Sequence, residues 1–327
     1  AAYDSRSPAA PRRDDEVQAA MTGLFDTAGI GHELTVGTSA FRRVVDKRKP
    51  VNEYIGTSNI DEDTPTFTPT DKPLNDSHRN LDSRQYGVFV TDRIRFNEQW
   101  QTILGGREVR LDEKAFDGET GNQTRHTQQY VFLPQASLIY KPIENVSLYT
   151  SYSKGLSLGG TAPWFATNAD ETLAPTTSRQ IEAGVKYDWR RISFAAAVFQ
   201  TRQAYQYAKP DAAGDFTYVQ QGEQKNTGVE LSANGWATER LQISSSVAAI
   251  RARVTGSGTP EYEAHQAINV PKLRASVYAD YALPWVNGLA VLGGVQYSAK
   301  KYANRSGNVE VGAVSYTHLT LPTKRVV

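Results

Sequence analysis

Between Ser178 and Gln203, apolar and polar residues alternate in two runs that meet at Arg190 and Arg191. In the first run Ile181, Ala183, Val185, Tyr187 and Trp189 share a face opposite Gln180, Glu182, Gly184, Lys186 and Asp188. In the second, Ile192, Phe194, Ala196 and Val198 oppose Ser193, Ala195, Ala197 and Thr201. A period of two places successive side chains on opposite faces of a strand, so the pair of runs predicts a β-hairpin closed by a two-residue turn. One face is apolar, the other small or charged, and aromatics crowd the turn; that combination suits a wall between lipid and water. The pattern predicts that Ile181, Val185, Ile192, Phe194, Val198, Val229, Leu231, Leu273 and Val277 point outward, and that Glu182, Lys186, Glu230, Lys272 and Arg274 point inward.

The same hairpin recurs along the chain. Alternation predicts strands over about 15 to 25, 31 to 43, 83 to 96, 99 to 113, 127 to 141, 146 to 155, 178 to 189, 191 to 203, 217 to 237, 239 to 254, 267 to 283 and 288 to 302. The connectors alternate in length: short turns follow Asp26, Phe96, Lys141, Trp189, Ala237 and Leu283, whereas longer polar segments occupy about 44 to 82, 114 to 126, 156 to 177, 204 to 216 and 255 to 266. Phe25, Phe96, Trp100, Tyr140, Tyr187, Trp189, Tyr281 and Trp285 all lie beside the short turns, where a girdle of rings would mark one membrane interface. Short turns on one rim and long loops on the other predict an all-β chain: an antiparallel transmembrane β-barrel of the outer-membrane type, with about 12 strands in hand.

Composition leaves that reading intact. Mean hydropathy is −0.51 and the longest apolar run, Phe194 to Phe199, is far too short for a spanning helix, but in a barrel only alternate residues need face lipid. Cysteine is absent, which removes disulfide frameworks and thiol chemistry. The 36 basic and 35 acidic residues are interspersed, with a net charge of +1, so no nucleic-acid partner is expected. The opening segment, Ala1 to Glu16, has no apolar core like that of a signal peptide. Ser151 to Lys154 matches Ser-x-x-Lys and Lys225 to Gly228 reads KNTG, without the accompanying elements of an acyl-transfer site. Gly155 to Gly160 lacks the following helix of a phosphate loop. His32, His78, His126, His265 and His318 read as scattered loop residues, and Asp61, Glu62 and Asp63 as a solvated acidic loop. An enzyme is not expected, nor a bound cofactor or metal.

Particular phrases carry a resemblance beyond the pattern. Tyr86 to Phe96 (YGVFVTDRIRF), Leu104 to Arg110 (LGGREVR), Leu133 to Leu156 (LPQASLIYKPIENVSLYTSYSKGL), Leu173 to Tyr187 (LAPTTSRQIEAGVKY) and Gln221 to Leu231 (QGEQKNTGVEL) together make the chain resemble the barrel of TonB-dependent siderophore receptors of the Gram-negative outer membrane. In the last phrase Gly222 and Gly228 suit bending or close approach, and Glu223, Lys225 and Glu230 suit a charged inner wall. The resemblance implies uptake of a ferric siderophore, energised by a TonB complex through a plug that is not recognisable in this sequence. Because such transporters close with about 22 strands, it also implies part of a larger wall, spanning 1 to 314. Residues 315 to 327 read as a non-native-looking tail without strand alternation. A receptor for another solute (vitamin, haem or glycan), a passive porin or a β-rich adhesin are the alternatives. Candidate ligand contacts are Trp164 and Phe165, two adjacent rings in a long loop, with Tyr205 and Tyr207 expected just past a strand end on the same rim.

Overall fold

The computed structural model describes residues 2–6, 10–48, 51–57, 67–74, 76–263, 265–286 and 288–320. Its strands are β1 (Ala2–Arg6), β2 (Arg12–Thr27), β3 (Ile30–Lys47), β4 (Val51–Gly56), β5 (His78–Arg95), β6 (Trp100–Phe116), β7 (Gln123–Ile143), β8 (Val146–Ser157), β9 (Thr176–Trp189), β10 (Ile192–Pro210), β11 (Phe216–Trp236), β12 (Leu241–Thr255), β13 (Leu273–Ala282), β14 (Ala290–Ser298), β15 (Lys301–Tyr302), β16 (Glu310–Val311) and β17 (Val314–Thr320). Thirteen of them form a single sheet in the order β17-β14-β13-β12-β11-β10-β9-β8-β7-β6-β5-β3-β2; β1 with β4 and β15 with β16 make two small pairs. All pairings in the large sheet are antiparallel, and its two end strands do not pair with each other. The twelve expected strands are all present and pair with their sequence neighbours, as short turns dictate. A thirteenth, β17, comes from the segment expected to carry no strand. The acidic cluster at Asp61, Glu62 and Asp63, and residues 321–327, lie outside the described residues.

Register decides which face each side chain occupies, because directly opposed residues share a face. Val198 stands opposite Ala183 and Val229, and the row continues through Ala249 to Leu273. Ile181, Val198, Val229, Leu231 and Val277 are all exposed, as an outer wall requires when its solvent is lipid. The alternate row through Ala197, Glu230, Ala248 and Arg274 lies on the other face, and so does Glu182, opposite Phe199. The expected facing therefore holds in the ladder. It fails for Glu223 and Lys225: the register runs unbroken from Lys225 to Val229, so these charges share the outer face, above the apolar band.

Two rings of aromatics bound that band. Trp100 stacks on Tyr140 with centroids 4.4 Å apart, and Phe25 stacks on His32 at 4.9 Å, both beside short turns. Ten residues up the strands, Tyr86 on β5 stands above Phe96 and Tyr130 on β7 stands above Tyr140, and both upper rings are exposed. His32 is not a loop residue; it sits in β3, and its Nδ1 lies 2.8 Å from Asp92 Oδ2 on the outer face. His78, His126 and His318 are likewise on strands.

The inner face is packed by rings laid over glycines. Phe89 covers Gly37, Tyr149 covers Gly184, Phe199 covers Gly228 and Tyr278 covers Gly294, each pair directly opposed in the ladder. A side chain at Gly228 would begin 2.7 Å from the Phe199 ring, so the close approach expected of this glycine is real. Gly222, at φ +87°, lies where the β10–β11 register slips, in a backbone region open mainly to glycine.

Candidate ligand-binding rim

The segment 158–175 between β8 and β9 is held to the wall on two sides. Internally, Ala162 N–H donates to Glu171 O at 2.7 Å and Leu173 N–H to Gly160 O at 2.9 Å, closing a small two-armed loop. On one side Gly160 N–H donates to Gln206 Oε1 at 2.9 Å, and Asn168 bonds Tyr218 twice, donating from Nδ2 to its carbonyl at 3.0 Å and accepting its N–H at 2.8 Å. On the other side Arg125 of β7 donates to the carbonyls of Thr172 and Leu173, both at 3.1 Å. Lys47 of β3 reaches Asp170 Oδ1 at 3.3 Å, and Asn80 of β5 reaches its carbonyl at 3.3 Å. Arg125 is itself fixed by Glu113, 2.6 Å away with its side chain fully buried. The long loop is thus a strap connecting β3, β5 and β7 with β10 and β11.

Trp164 and Phe165 stand proud of this strap, 68% and 48% exposed. Their rings meet edge to face at 5.7 Å, and Phe165 meets Phe216 the same way at 5.9 Å. Three rings therefore form one apolar patch at the long-loop rim. Phe216 escaped the sequence reading because it falls at the end of the expected polar segment 204 to 216, whereas in the structure it opens β11. Its backbone explains the contact: Thr167 N–H donates to Phe216 O at 2.7 Å.

Tyr205 and Tyr207 are placed elsewhere. β10 does not end near 203 but continues to Pro210, so both tyrosines are strand residues on the inner face, stacked at 5.0 Å. Tyr207 is fully buried, donates to Ser257 O at 2.6 Å, and packs edge to face on Tyr262. Arg305 Nε donates to the Tyr205 hydroxyl at 3.1 Å. These tyrosines anchor the loop after β12 to the wall, and no ring contact joins them to Trp164 or Phe165. That neighbouring loop is also tied by Glu263, which accepts from the hydroxyl of Ser257 at 2.6 Å and from the Gly256 amide at 2.9 Å. Ser257 above all holds the Glu263 carboxyl below its ordinary value. The motifs that imitate catalysis dissolve in the ladder: in β8 Ser151 and Lys154 fall on opposite faces, and KNTG is interior to β11. Among the described residues no group of three His, Cys, Asp or Glu could hold a metal ion.

The wall, its two aromatic rings and its one-sided long loops have a counterpart among known proteins, since residues 2–324 match the family described as TonB dependent receptor-like, beta-barrel. The chain belongs to that family. It is a family of outer-membrane receptor barrels and not of enzymes. Among its relatives, the probable TonB-dependent siderophore receptor PiuA of Acinetobacter baumannii is 26% identical, over 88% of this chain and 43% of its own length. The ferrichrome receptor FcuA of Yersinia enterocolitica is 24% identical, over 89% of this chain and 39% of its own. In fold, the chain is similar to BauA, the ferric preacinetobactin receptor of A. baumannii, with a TM-score of 0.74, 22% identity, and coverage of 94% of this chain and 46% of that one. The ferric-catecholate import receptor Fiu of E. coli K12 gives a TM-score of 0.72 at 15% identity, covering 95% of this chain and 48% of that one. The TonB-receptor barrel described here thus spans about two-fifths of the length of the curated relatives it matches.

Proposed function

We propose that this barrel wall serves in the uptake of a ferric siderophore across the outer membrane, energised through TonB. The observation that carries the reading is the exposed patch of Trp164, Phe165 and Phe216 at the long-loop rim, within a family whose relatives include a probable TonB-dependent siderophore receptor, a ferrichrome receptor and a ferrioxamine B receptor. An iron chelate is a partly apolar, often ring-bearing ligand, and aromatic faces contribute about 0.5–1.5 kcal/mol each beyond simple burial. The strap presents the rings already ordered, which lowers the entropic cost of capture. Trp164 and Phe165 are the proposed first contacts, Phe216 their support. Tyr205 and Tyr207 act behind them as structure.

The test is uptake of radiolabelled iron by cells bearing the receptor that carries this wall, offered in turn as hydroxamate, catecholate and citrate complexes. Accumulation of one complex that stops on adding a protonophore or deleting TonB supports the proposal. Accumulation indifferent to both would make the wall a passive pore, and uptake of haem or a vitamin but no iron chelate would assign another solute.

A further inference from the structure

The two sides of the strap are held by different chemistry. Toward β10 and β11 its partners are neutral: Gln206 takes the Gly160 amide, Tyr218 exchanges backbone bonds with the Asn168 side chain, Phe216 O accepts the Thr167 amide, and the hydroxyls of Thr167 and Thr217 meet at 2.7 Å. Among the described residues, no buried side-chain nitrogen or oxygen of β10 or β11 lacks a partner. Toward β3, β5 and β7 the strap hangs on Lys47, Asn80 and Arg125. Beside those anchors, polar atoms are left over.

Ser83 of β5 and Glu113 of β6 stand directly opposed on the inner face, and both are completely buried. Ser83 Oγ and Glu113 Oε2 have no hydrogen-bond partner among the described residues. Their neighbours along the same row are committed elsewhere. Arg43, opposite Ser83, donates to Asp14 at 2.8 Å, and Thr127, opposite Glu113, is taken by Arg125. A buried polar group without a partner forfeits the hydration it would have in contact with water. The contact that shuts water out is the one that holds the strap: Arg125, bonded both to Glu113 and to two strap carbonyls, and Asn80, on the same strand as Ser83 and bonded to the Asp170 carbonyl.

The closed strap therefore carries a standing penalty on one side only. We propose that it is a hinged flap, which stays bound to β10 and β11 and swings free of β3, β5 and β7, with the dry pair Ser83 and Glu113 setting how often it opens. The aromatic patch lies on the hinge side, tied by Thr167 to Phe216, so opening uncovers the inner rim of β3, β5 and β7 and leaves Trp164, Phe165 and Phe216 assembled. The proposal rests on the strap's own contacts, not on the identity of the solute, so the failure of either leaves the other standing.

Because the chain has no cysteine, single thiols can report the opening. Ala115, opposite Arg125, and Ala208, opposite Tyr218, are 1% and 4% exposed; Ala115→Cys marks the swinging side and Ala208→Cys the hinge. The full-length receptor carrying either probe is treated in isolated outer membranes with a maleimide, labelling is located by peptide mass spectrometry, and rates are corrected for thiol reactivity in the unfolded protein. The swinging side should label at least about tenfold faster than the hinge. Ser83→Ala, which removes an unpartnered hydroxyl, should slow labelling of Ala115→Cys at least about fivefold and leave that of Ala208→Cys within about twofold. Equal rates at the two probes, or a faster hinge probe, overturn the proposal without any change at Ser83. So does a Ser83→Ala receptor whose Ala115→Cys labels no more slowly than before, which would make the unpartnered pair incidental to the strap.

Discussion

Arg125→Ala should free the strap that carries the aromatic patch while leaving the wall in place. Arg125 makes four hydrogen bonds: to Glu113 Oε1 at 2.6 Å, to the carbonyls of Thr172 and Leu173 at 3.1 Å each, and to the Thr127 hydroxyl. Glu113 is completely covered and its Oε2 has no partner among the described residues, so removing the guanidinium strands a buried carboxylate. Breaking such a pair costs about 3–5 kcal/mol. Even about 3 kcal/mol, expressed as local opening, raises the open population more than about a hundredfold. Limited proteolysis of the embedded protein reads this directly as cleavage within 158–175, while hydrogen exchange over β7 and β9 reports whether the ladder survives. The double variant Arg125→Met with Glu113→Leu removes both charges and should leave the wall more stable than Arg125→Ala alone, while the strap, deprived of its two carbonyl contacts, stays open. A strap in Arg125→Ala that resists protease as the wild type does would refute the view that Arg125 is its main anchor.

Three further outcomes follow from the geometry. Gly228→Val should destabilise the wall by about 1–3 kcal/mol, because its side chain would begin 2.7 Å from Phe199 and 2.8 Å from the Ala249 carbonyl, whereas Gly312→Ala, with open space around it, should be neutral; the loss is read as the temperature at which the detergent-folded form disappears. Trp164→Ala with Phe165→Ala, at equal surface abundance, should weaken whole-cell chelate binding by about tenfold or more, and unchanged affinity would remove the pair from the site. Glu263 is held below the ordinary carboxylate value of 4.5 by Ser257, so its hold on the loop after β12 is complete above that value and is lost as pH falls through the depressed one; exchange at Gly256 and Ser257, corrected for intrinsic rate, should rise on acidification in the wild type and not in Glu263→Gln.

What the sequence revealed is the part of the chain that lipid touches. Between the aromatic rings one face must be apolar, so alternation is enforced, and runs such as Ile181 to Trp189 are legible. Above the upper ring both faces meet water, the constraint lapses, and strands continue unseen: β10 runs on to Pro210 and β5 begins at His78. Tyr205 and Tyr207 were read as rim residues for that reason. Lys225 was misplaced by judging charge instead of counting along the strand to Val229, since a charge on the outer face costs most within the band and little above it. The strap was illegible because its anchors, Lys47, Asn80 and Arg125, are ordinary polar residues far away in sequence.

Strands in the sheet follow one another along the chain, with β4 passed over between β3 and β5 and β15–β16 between β14 and β17, whereas the ties that hold the strap span far more, such as Lys47 to Asp170 across 123 positions. Loop closure is the slow element of β-sheet formation, so an order of assembly is written into this arrangement. Each hairpin can zip onto the one before it at little entropic cost, and the long-range ties can form only after the strands on both sides are in register. The strap is then the last stitch, a completion step that reports a correctly built wall, and a register error anywhere from β3 to β11 would leave it undone.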